Sequence, residues 1–326
     1  MSYTAMGFTE FGGPEVFRKM ELELQPPNPN QVKIRVEYTS VNFADVKARK
    51  GEYSISGPPY IPGLDFLGIV TEAGSERGAH LVGKRVIGFG DTGSYGSEVL
   101  ASLDLVFEIP DSISSTTAAA SPLLLGTTYA LLNKNQGLKP GQNLLIHAAA
   151  GGIGLTSVQI GRQMGAKSII GLVSRKSKSD AVLKMGADHV IVTEENPNYS
   201  QIIKELIPEG IDYILNSAAG DTFSQDLELL NPHGQLVVFG MASGKPGVVT
   251  SDQLHQSSRT IAGFSFGHLR RTNPAAAREL FLKALPLLTD GKVAFDQITE
   301  FSLYDVSKAH AAIESRETVG KLLLRP

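Results

Sequence analysis

The stretch 144–176, LLIHAAAGGIGLTSVQIGRQMGAKSIIGLVSRK, restricts what this chain can fold into more than any other. Leu144–His147 opens it with an apolar run of strand length. A turn of small residues follows, Ala148-Ala149-Ala150-Gly151-Gly152-Ile153-Gly154. Leu155, Val158, Ile160 and Met164 then take helix-compatible positions, Gly165 can end the helix, and Ser168–Val173 returns as a second apolar strand. Strand, small-residue turn, helix and strand in this order are the setting of a dinucleotide-binding turn. The pattern is AxxGxxG, with Ala149 in the first glycine position. Gly151 lets backbone approach a pyrophosphate, and Gly154 lets the helix pack close to the sheet. The helix start offers unpaired N–H groups and a positive dipole end to phosphates. A plain strand–helix–strand crossover is the competing explanation, and the flanking strands weigh against it.

The periodicity on either side implies an α/β chain. Residues up to about 110 read as mostly β: Gln31–Tyr38 alternates strictly, and short strands are expected at Leu67–Ala73, Arg85–Gly90 and Ser97–Ala101. Together they suggest a compact, barrel-like β-domain. Pro110-Asp111-Ser112 marks its end, with Ser112 or Ser114 placed to cap the next helix. From about 115 to 265 helices alternate with strands at Val190–Thr193, Tyr213–Asn216 and Gln235–Gly240, which implies a doubly wound parallel sheet. Residues 275–288 look helical, with Pro286 expected to end or kink the helix. Phe301–Leu303 and Lys321–Leu324 read as strands that can rejoin the first domain. The expected division is 1–115 with 266–326, and 116–265.

Composition excludes several function classes. In 326 residues the net charge is −3, which gives nucleic acid no electrostatic footing. There is no Cys, so disulfides and thiolate metal sites are excluded. The seven His residues show no metal-ligand spacing, and His147, ending an apolar strand, reads as a hydrogen-bonded core residue. The uncharged run Ser112–Asn133 contains Pro122 and Gly126 and reads as a buried helix, not a membrane span. Met1–Gly13 shows no secretory leader, so a cytoplasmic location is expected. Lys47-Ala48-Arg49-Lys50 reads as a solvated face. No GxSxG or Ser/His/Asp signature points to hydrolysis.

The residue about 20 positions past the glycine turn separates the two nicotinamide dinucleotides. An acid there binds the ribose hydroxyls of NAD. Here the position is Ser174, followed by Arg175, Lys176 and Lys178. A 2′-phosphate would be attracted by these cations, and Arg175 can bond it bidentately; a solvated basic loop is the competing explanation.

Many ordered motifs resemble one family. They are Val41-Asn42-Phe43-Ala44-Asp45, Ile61–Gly68, Gly83-Lys84-Arg85-Val86, Ala148–Gly154, Gly186–Ile191, Phe239-Gly240 with Ser243-Gly244, and Gly320-Lys321. The chain resembles, nearly end to end, the zinc-independent quinone oxidoreductases, the zeta-crystallin-like branch of the medium-chain dehydrogenase/reductase superfamily. The resemblance implies a GroES-like β-barrel catalytic domain, a Rossmann domain, and NADPH in the cleft between them. It places the cofactor against Asn42, Thr127, Ala150, Gly151, Gly152, Ile153, Gly154, Ser174, Asn216, Phe239 and Gly240. Lys178 and Arg316 match the family's phosphate-binding Lys and Arg. Its phosphate-binding Tyr is Thr193 here, a loss for which Arg175 can compensate.

Zinc-dependent relatives carry Cys and His where this chain has Asn42 and Leu64. Without them, the resemblance implies hydride transfer to an acceptor that is already electron-poor, a quinone or an enone. Asn42 can orient nicotinamide or substrate, and the Tyr53 hydroxyl can donate to a developing enolate. Tyr53 is equally readable as a packing aromatic. A second Tyr of the family is not evident, and Lys47 lies in that neighbourhood. Three functions are therefore open: an NADPH-dependent quinone reductase, a reductase of enals, enones or enoyl thioesters, and a non-catalytic NADPH-binding protein of crystallin type. A homodimer is expected along Gln235–Gly240, taken as the apolar edge strand of the parallel sheet; the competing explanation is an edge capped by the chain's own residues 247–265.

Overall fold

The computed structural model describes residues 2–53 and 55–326. Its contacts divide the chain into two units, one running to Leu124 and resuming at Asn273–Pro326, the other Leu125–Thr272. The boundaries fall inside the helix Ser115–Leu132 and after the helix Phe266–Thr272, past the loops where the sequence periodicity changes. Ser114 caps the first of these helices, its hydroxyl accepting from the Thr117 amide at 3.2 Å.

In the first unit Gln31–Val41 is the central strand. Val32, Ile34 and Val36 are buried, while Lys33, Arg35 and Glu37 between them are not. This strand pairs antiparallel with Asp65–Ala73, with Glu98–Ser102 and, at its end, with Lys321–Arg325. Arg85–Phe89 and Val106–Glu108 extend the sheet one way, and Ile298–Ser302 extends it the other. The C-terminal segments thus rejoin the first unit. A separate antiparallel hairpin, Ser2–Phe8 with Phe17–Glu23, lies where the sequence carries no strict alternation. The helix Pro274–Thr289 runs through Pro286. The residue is close enough to the helix end that bonding continues past it, with the Asp290 amide donating to its carbonyl at 3.0 Å.

The second unit is a six-stranded, wholly parallel sheet. Its order is His189–Val192, Ser168–Val173, Asn143–Ile146, Ile211–Asn216, Leu230–Val238, Thr260–Gly263. Numbered along the chain this is 3-2-1-4-5-6, so strand order reverses between Asn143–Ile146 and Ile211–Asn216. Ligands bind at such a reversal, outside the carboxyl ends of the strands. One expectation is corrected: the strand containing Gln235–Val238 is not an edge. Thr260–Gly263 pairs with it in parallel, Gln235 opposite Thr260 and Val238 opposite Gly263. The chain's own next segment satisfies the backbone groups that the dimer expectation left open. Among the described residues no helix is long and apolar enough to cross a membrane.

The Lys47–Lys50 run is also not simply a solvated face. It ends the helix Phe43–Arg49, whose Arg49 is fully buried. The Arg49 guanidinium donates to Gly12 O at 3.0 Å and to Glu314 Oε2 at 2.6 Å, and its Nη1 lies 3.4 Å from His310 Nδ1. A guanidinium has no acceptor, so Nδ1 accepts and the His310 proton sits on Nε2. Nε2 then donates to Tyr95 Oη at 3.1 Å. Burial, helped by the Arg49 charge and opposed by Glu314, pushes the His310 pKa from the ordinary 6.5 to about 3.

The folded state therefore binds fewer protons at His310 than the unfolded chain. This contribution to stability is intact above about pH 6.5 and is lost as pH falls toward 3. Urea melts of wild type and His310→Gln should draw together on acidification, by roughly 3 kcal/mol between pH 7 and pH 4.5. A pH-independent difference would mean that His310 does not have to stay neutral in the fold.

Candidate functional site

The small-residue turn leaves the sheet at its carboxyl edge. His147 N donates to Leu215 O and Ala149 N to Leu172 O, both at 2.9 Å, which ties the turn to both neighbouring strands. The helix Gly152–Gln163 begins immediately after, with Gly151 as its N-cap and no side chain capping it. The amides of Gly152, Ile153 and Gly154 therefore have no acceptor within the helix. The two key glycines do different work. A Cβ on Gly154 would meet Ala148 O, Ala149 Cα and Ala149 O, each at 2.5 Å, all backbone that cannot give way. A Cβ on Gly151 would meet only Ala148 O, at 3.3 Å, and otherwise open space in front of the helix start. Gly154 is a packing requirement, and Gly151 keeps the approach to the amides clear. Ala150 beside them is buried.

The loop after the strand Ser168–Val173 lies along the same edge. Ser174 and Arg175 are half-buried and lead into the short helix Lys176–Lys178. Arg175 Nε is 3.7 Å from Glu194 Oε1, a loose pair in which the Arg175 side chain stays 42% exposed. Lys178 is buried. Thr193 closes this corner, its amide donating to Val173 O at 2.8 Å.

At the next strand end Asn216 turns inward. Its side chain is fully buried. Nδ2 donates to Asp226 Oδ2 at 2.6 Å and Thr222 Oγ1 at 2.9 Å, while Oδ1 accepts from the amides of Ala218 and Ala219. Asn216 thus shapes the turn and has no exposed side-chain surface to offer a nucleotide. The same Asp226 receives His147 Nε2 at 2.9 Å and the Tyr199 hydroxyl at 2.8 Å, so His147 is a hydrogen-bonded core residue. Phe239 and Gly240 follow the strand Leu230–Val238 and are half-buried, with Phe239 N donating to Asn216 O at 3.0 Å. Thr127 is buried in the helix Ser115–Leu132.

The first unit holds Asn42, Tyr53 and Arg316. Arg316 is exposed at φ 57° after the helix Val306–Glu314. Tyr53 is half-buried in the loop after Phe43–Arg49. Asn42 is the N-cap of that helix and 6% exposed. Its Nδ2 lies 3.1 Å from Asp65 Oδ1 and 3.3 Å from both Ser40 O and Ser40 Oγ. Its Oδ1 accepts from Lys321 Nζ.

Around Asn42 lies a buried charged cluster that sequence reasoning did not assemble. Asp45 accepts from the amides of Asn42 at 2.9 Å and Gly63 at 3.0 Å. Burial outweighs those bonds and pushes its carboxyl up to about 6. Burial likewise lowers Lys321, against the pull of Asp65 and Asp45, and raises the Tyr95 hydroxyl. A sequence signal existed. Asp65 and Lys321 each stand at the first residue of an apolar strand, DFLGIV and KLLL, where a charge is costly unless it is paired. Among the described residues no group of three His, Cys, Asp or Glu side chains is arranged to hold a metal.

Comparison with known proteins matches both units. Residues 28–111 fit the family model of the alcohol dehydrogenase GroES-like domain, and residues 152–283 fit that of the zinc-binding dehydrogenases. The quinone oxidoreductase of Salmonella typhimurium is 32% identical, over 99% of this chain and 99% of its own length. The crystal structure of Escherichia coli quinone oxidoreductase complexed with NADPH superposes at TM-score 0.89, with 31% identity over 99% of this chain and 100% of that one. The chain belongs to the quinone oxidoreductase branch of the medium-chain dehydrogenase/reductase superfamily. The branch reaches beyond enzymes named for quinones. The human synaptic vesicle membrane protein VAT-1 homolog is 30% identical over 98% of this chain and 85% of its own length.

The distinct work of the two glycines gives a separable outcome. Gly154→Ala should lower stability by roughly 2 kcal/mol or more, because the methyl meets rigid backbone. Gly151→Ala should melt within a degree or two of wild type yet bind dinucleotide far more weakly. Thermal melts paired with dinucleotide titration check both, and equal effects of the two substitutions on stability would contradict this assignment.

Proposed function

We propose that this oxidoreductase uses NADPH to reduce a quinone by hydride transfer, without zinc. The observation that carries the reading is the open row of amides at Gly152–Gly154 beside a loop with Ser174 where an NAD-specific acid would stand. The amides and the helix dipole bind the pyrophosphate. Arg175 pairs loosely with the exposed Glu194 carboxylate, at 3.7 Å, and a 2′-phosphate offers it a bidentate, more highly charged partner. Lys178, and Arg316 from the first unit, are the further cations that the family resemblance assigns to this phosphate. The NADPH complex of the E. coli relative supports the same cofactor.

When bound, the cofactor supplies the hydride. The chain's own residues bind and orient. Asn42 holds the nicotinamide or the acceptor in register. The Tyr53 hydroxyl donates to the acceptor oxygen as negative charge develops there. The amide of Asn42 and the side chain of Leu64 offer a zinc ion neither thiolate nor imidazole. The acceptor must then be polarised already, as a quinone is.

Wild-type enzyme should prefer NADPH, and Arg175→Ala should raise the KM for NADPH by roughly tenfold or more while leaving that for NADH unchanged. Steady-state NADPH oxidation with a panel of quinones and enones tests the reading. Equal use of NADH by the wild type would refute the cofactor, turnover of enones alone would replace the acceptor, and no turnover with either would leave a binding protein.

Prolonged EDTA treatment should leave the quinone rate intact. A zinc content that is stoichiometric by elemental analysis and tracks activity would show the metal to be required.

A further inference from the structure

A cavity of about 340 Å³ lies in the first unit, where the helix Pro274–Thr289 meets residues 77–81 and 103–108. Small-molecule sites run from roughly 300 to 1,000 Å³. Leu81, Leu103, Val106 and Phe107, all buried, make one apolar wall. The helix supplies another with Leu282 and Leu285. Together with Arg278 these stand at i, i+4 and i+7, so the three share one helix face. That face is not the core face, which Ala277, Phe281, Ala284 and Leu288 hold and bury. Leu282 is left 45% exposed, an apolar wall that the fold itself does not cover.

The charges around the cavity do not balance. Arg77 is paired with Asp104 at 2.9 Å, and Glu108 with Lys84 at 2.9 Å. His80 is exposed and adds no negative charge. Arg278 is half-buried, and among the described residues no carboxylate lies within ion-pair distance of it; the adjacent Glu279 is paired with Lys283 at 2.8 Å. Arg278 Nη1 donates to the carbonyls of Leu103, Asp104 and Val106 at 3.2, 3.3 and 3.4 Å. The guanidinium also lies over the Phe107 ring, 5.3 Å from its centroid. These contacts fix the group, while the N–H donors on Nε and Nη2 have no protein acceptor among the described residues. A fixed cation with spare donors beside an apolar cavity suits one anionic group on an apolar body. One unpaired guanidinium matches a carboxylate. A phosphate dianion would call for a second cation, and Arg77 is already engaged.

We propose that this cavity binds a medium-chain carboxylate, its head on Arg278 and its tail between the buried wall and the helix residues Leu282 and Leu285. All the residues involved belong to the first unit, so the site is independent of the dinucleotide turn in the second. Its failure would leave the cofactor reading untouched.

The test is isothermal titration of the full-length protein with octanoate. Binding should be to one site per chain, with the same affinity whether or not saturating NADPH is present. Octanol keeps the tail without the charge, and acetate keeps the head without the tail. Each should bind about tenfold more weakly or worse. Leu282→Glu changes an exposed position, so the fold is retained, and the added carboxylate should weaken octanoate by about tenfold or more. Arg278→Leu should remove the preference for octanoate over octanol. If Arg278→Leu does not fold, Leu282→Glu decides by itself. No binding at millimolar octanoate, equal binding of octanol by the wild type, displacement by NADPH, or unchanged affinity in Leu282→Glu would each overturn the site.

Discussion

The first unit depends on one buried carboxylate. Asp65 has no exposed surface, yet its side chain accepts from Ser40 Oγ, from Asn42 Nδ2 and from the backbone amide of Leu123. Those three partners lie on the central strand, at the start of the helix Phe43–Arg49, and in the helix Ser115–Leu132 just after Pro122. Its own carbonyl accepts from Thr39 and Ser94, both at 2.9 Å. A buried carboxylate is tolerated only when its oxygens are satisfied and a cation is near. Lys321 supplies the cation, and it comes from the last strand of the chain. An uncompensated buried charge costs roughly 3–5 kcal/mol, so the N-terminal sheet and the C-terminal strand hold their arrangement together.

The second unit is organised by a different constraint, the parallel sheet. Parallel strands all end on one edge, and this sheet's order reverses beside its first strand. The reversal parts the crossovers to either side and leaves the helix start at Gly152 open. The polar groups nearby divide into two sets. His147, Asn216, Tyr199 and Asp226 satisfy one another inside the fold and make the turn rigid. Gly151 and the amides of Gly152–Gly154 remain on the outside. Rigid support behind and unsatisfied donors in front are what an anionic ligand requires.

Much of this architecture was legible in the chain itself. The turn at 148–154 was readable because glycine and alanine at those spacings answer to local sterics, as the three 2.5 Å contacts of a Cβ on Gly154 show. The strand Ser168–Val173 and the helix Tyr199–Leu206 begin and end where their apolar periodicity does. The absence of an acid at Ser174 was equally plain, since cofactor discrimination depends on one local position. The motifs Asn42–Asp45 and Ile61–Asp65 marked the family before any contact was known.

Other features required the tertiary structure, because they depend on residues far apart in sequence. Arg49 looked like one of a run of surface cations, and only its meeting with Gly12, His310 and Glu314 makes it the largest fully buried side chain. The resemblance sets Asn216 against the cofactor, and only the packed structure shows Asp226 holding its side chain inward. Gln235–Val238 looked like an edge until Thr260–Gly263 paired with it. The charged cluster around Asn42 joins residues 40, 42, 45, 65 and 321. Sequence reports what each residue could donate, accept or bury. Which partner it finds is set by strand register and burial, and these exist only once distant segments have packed.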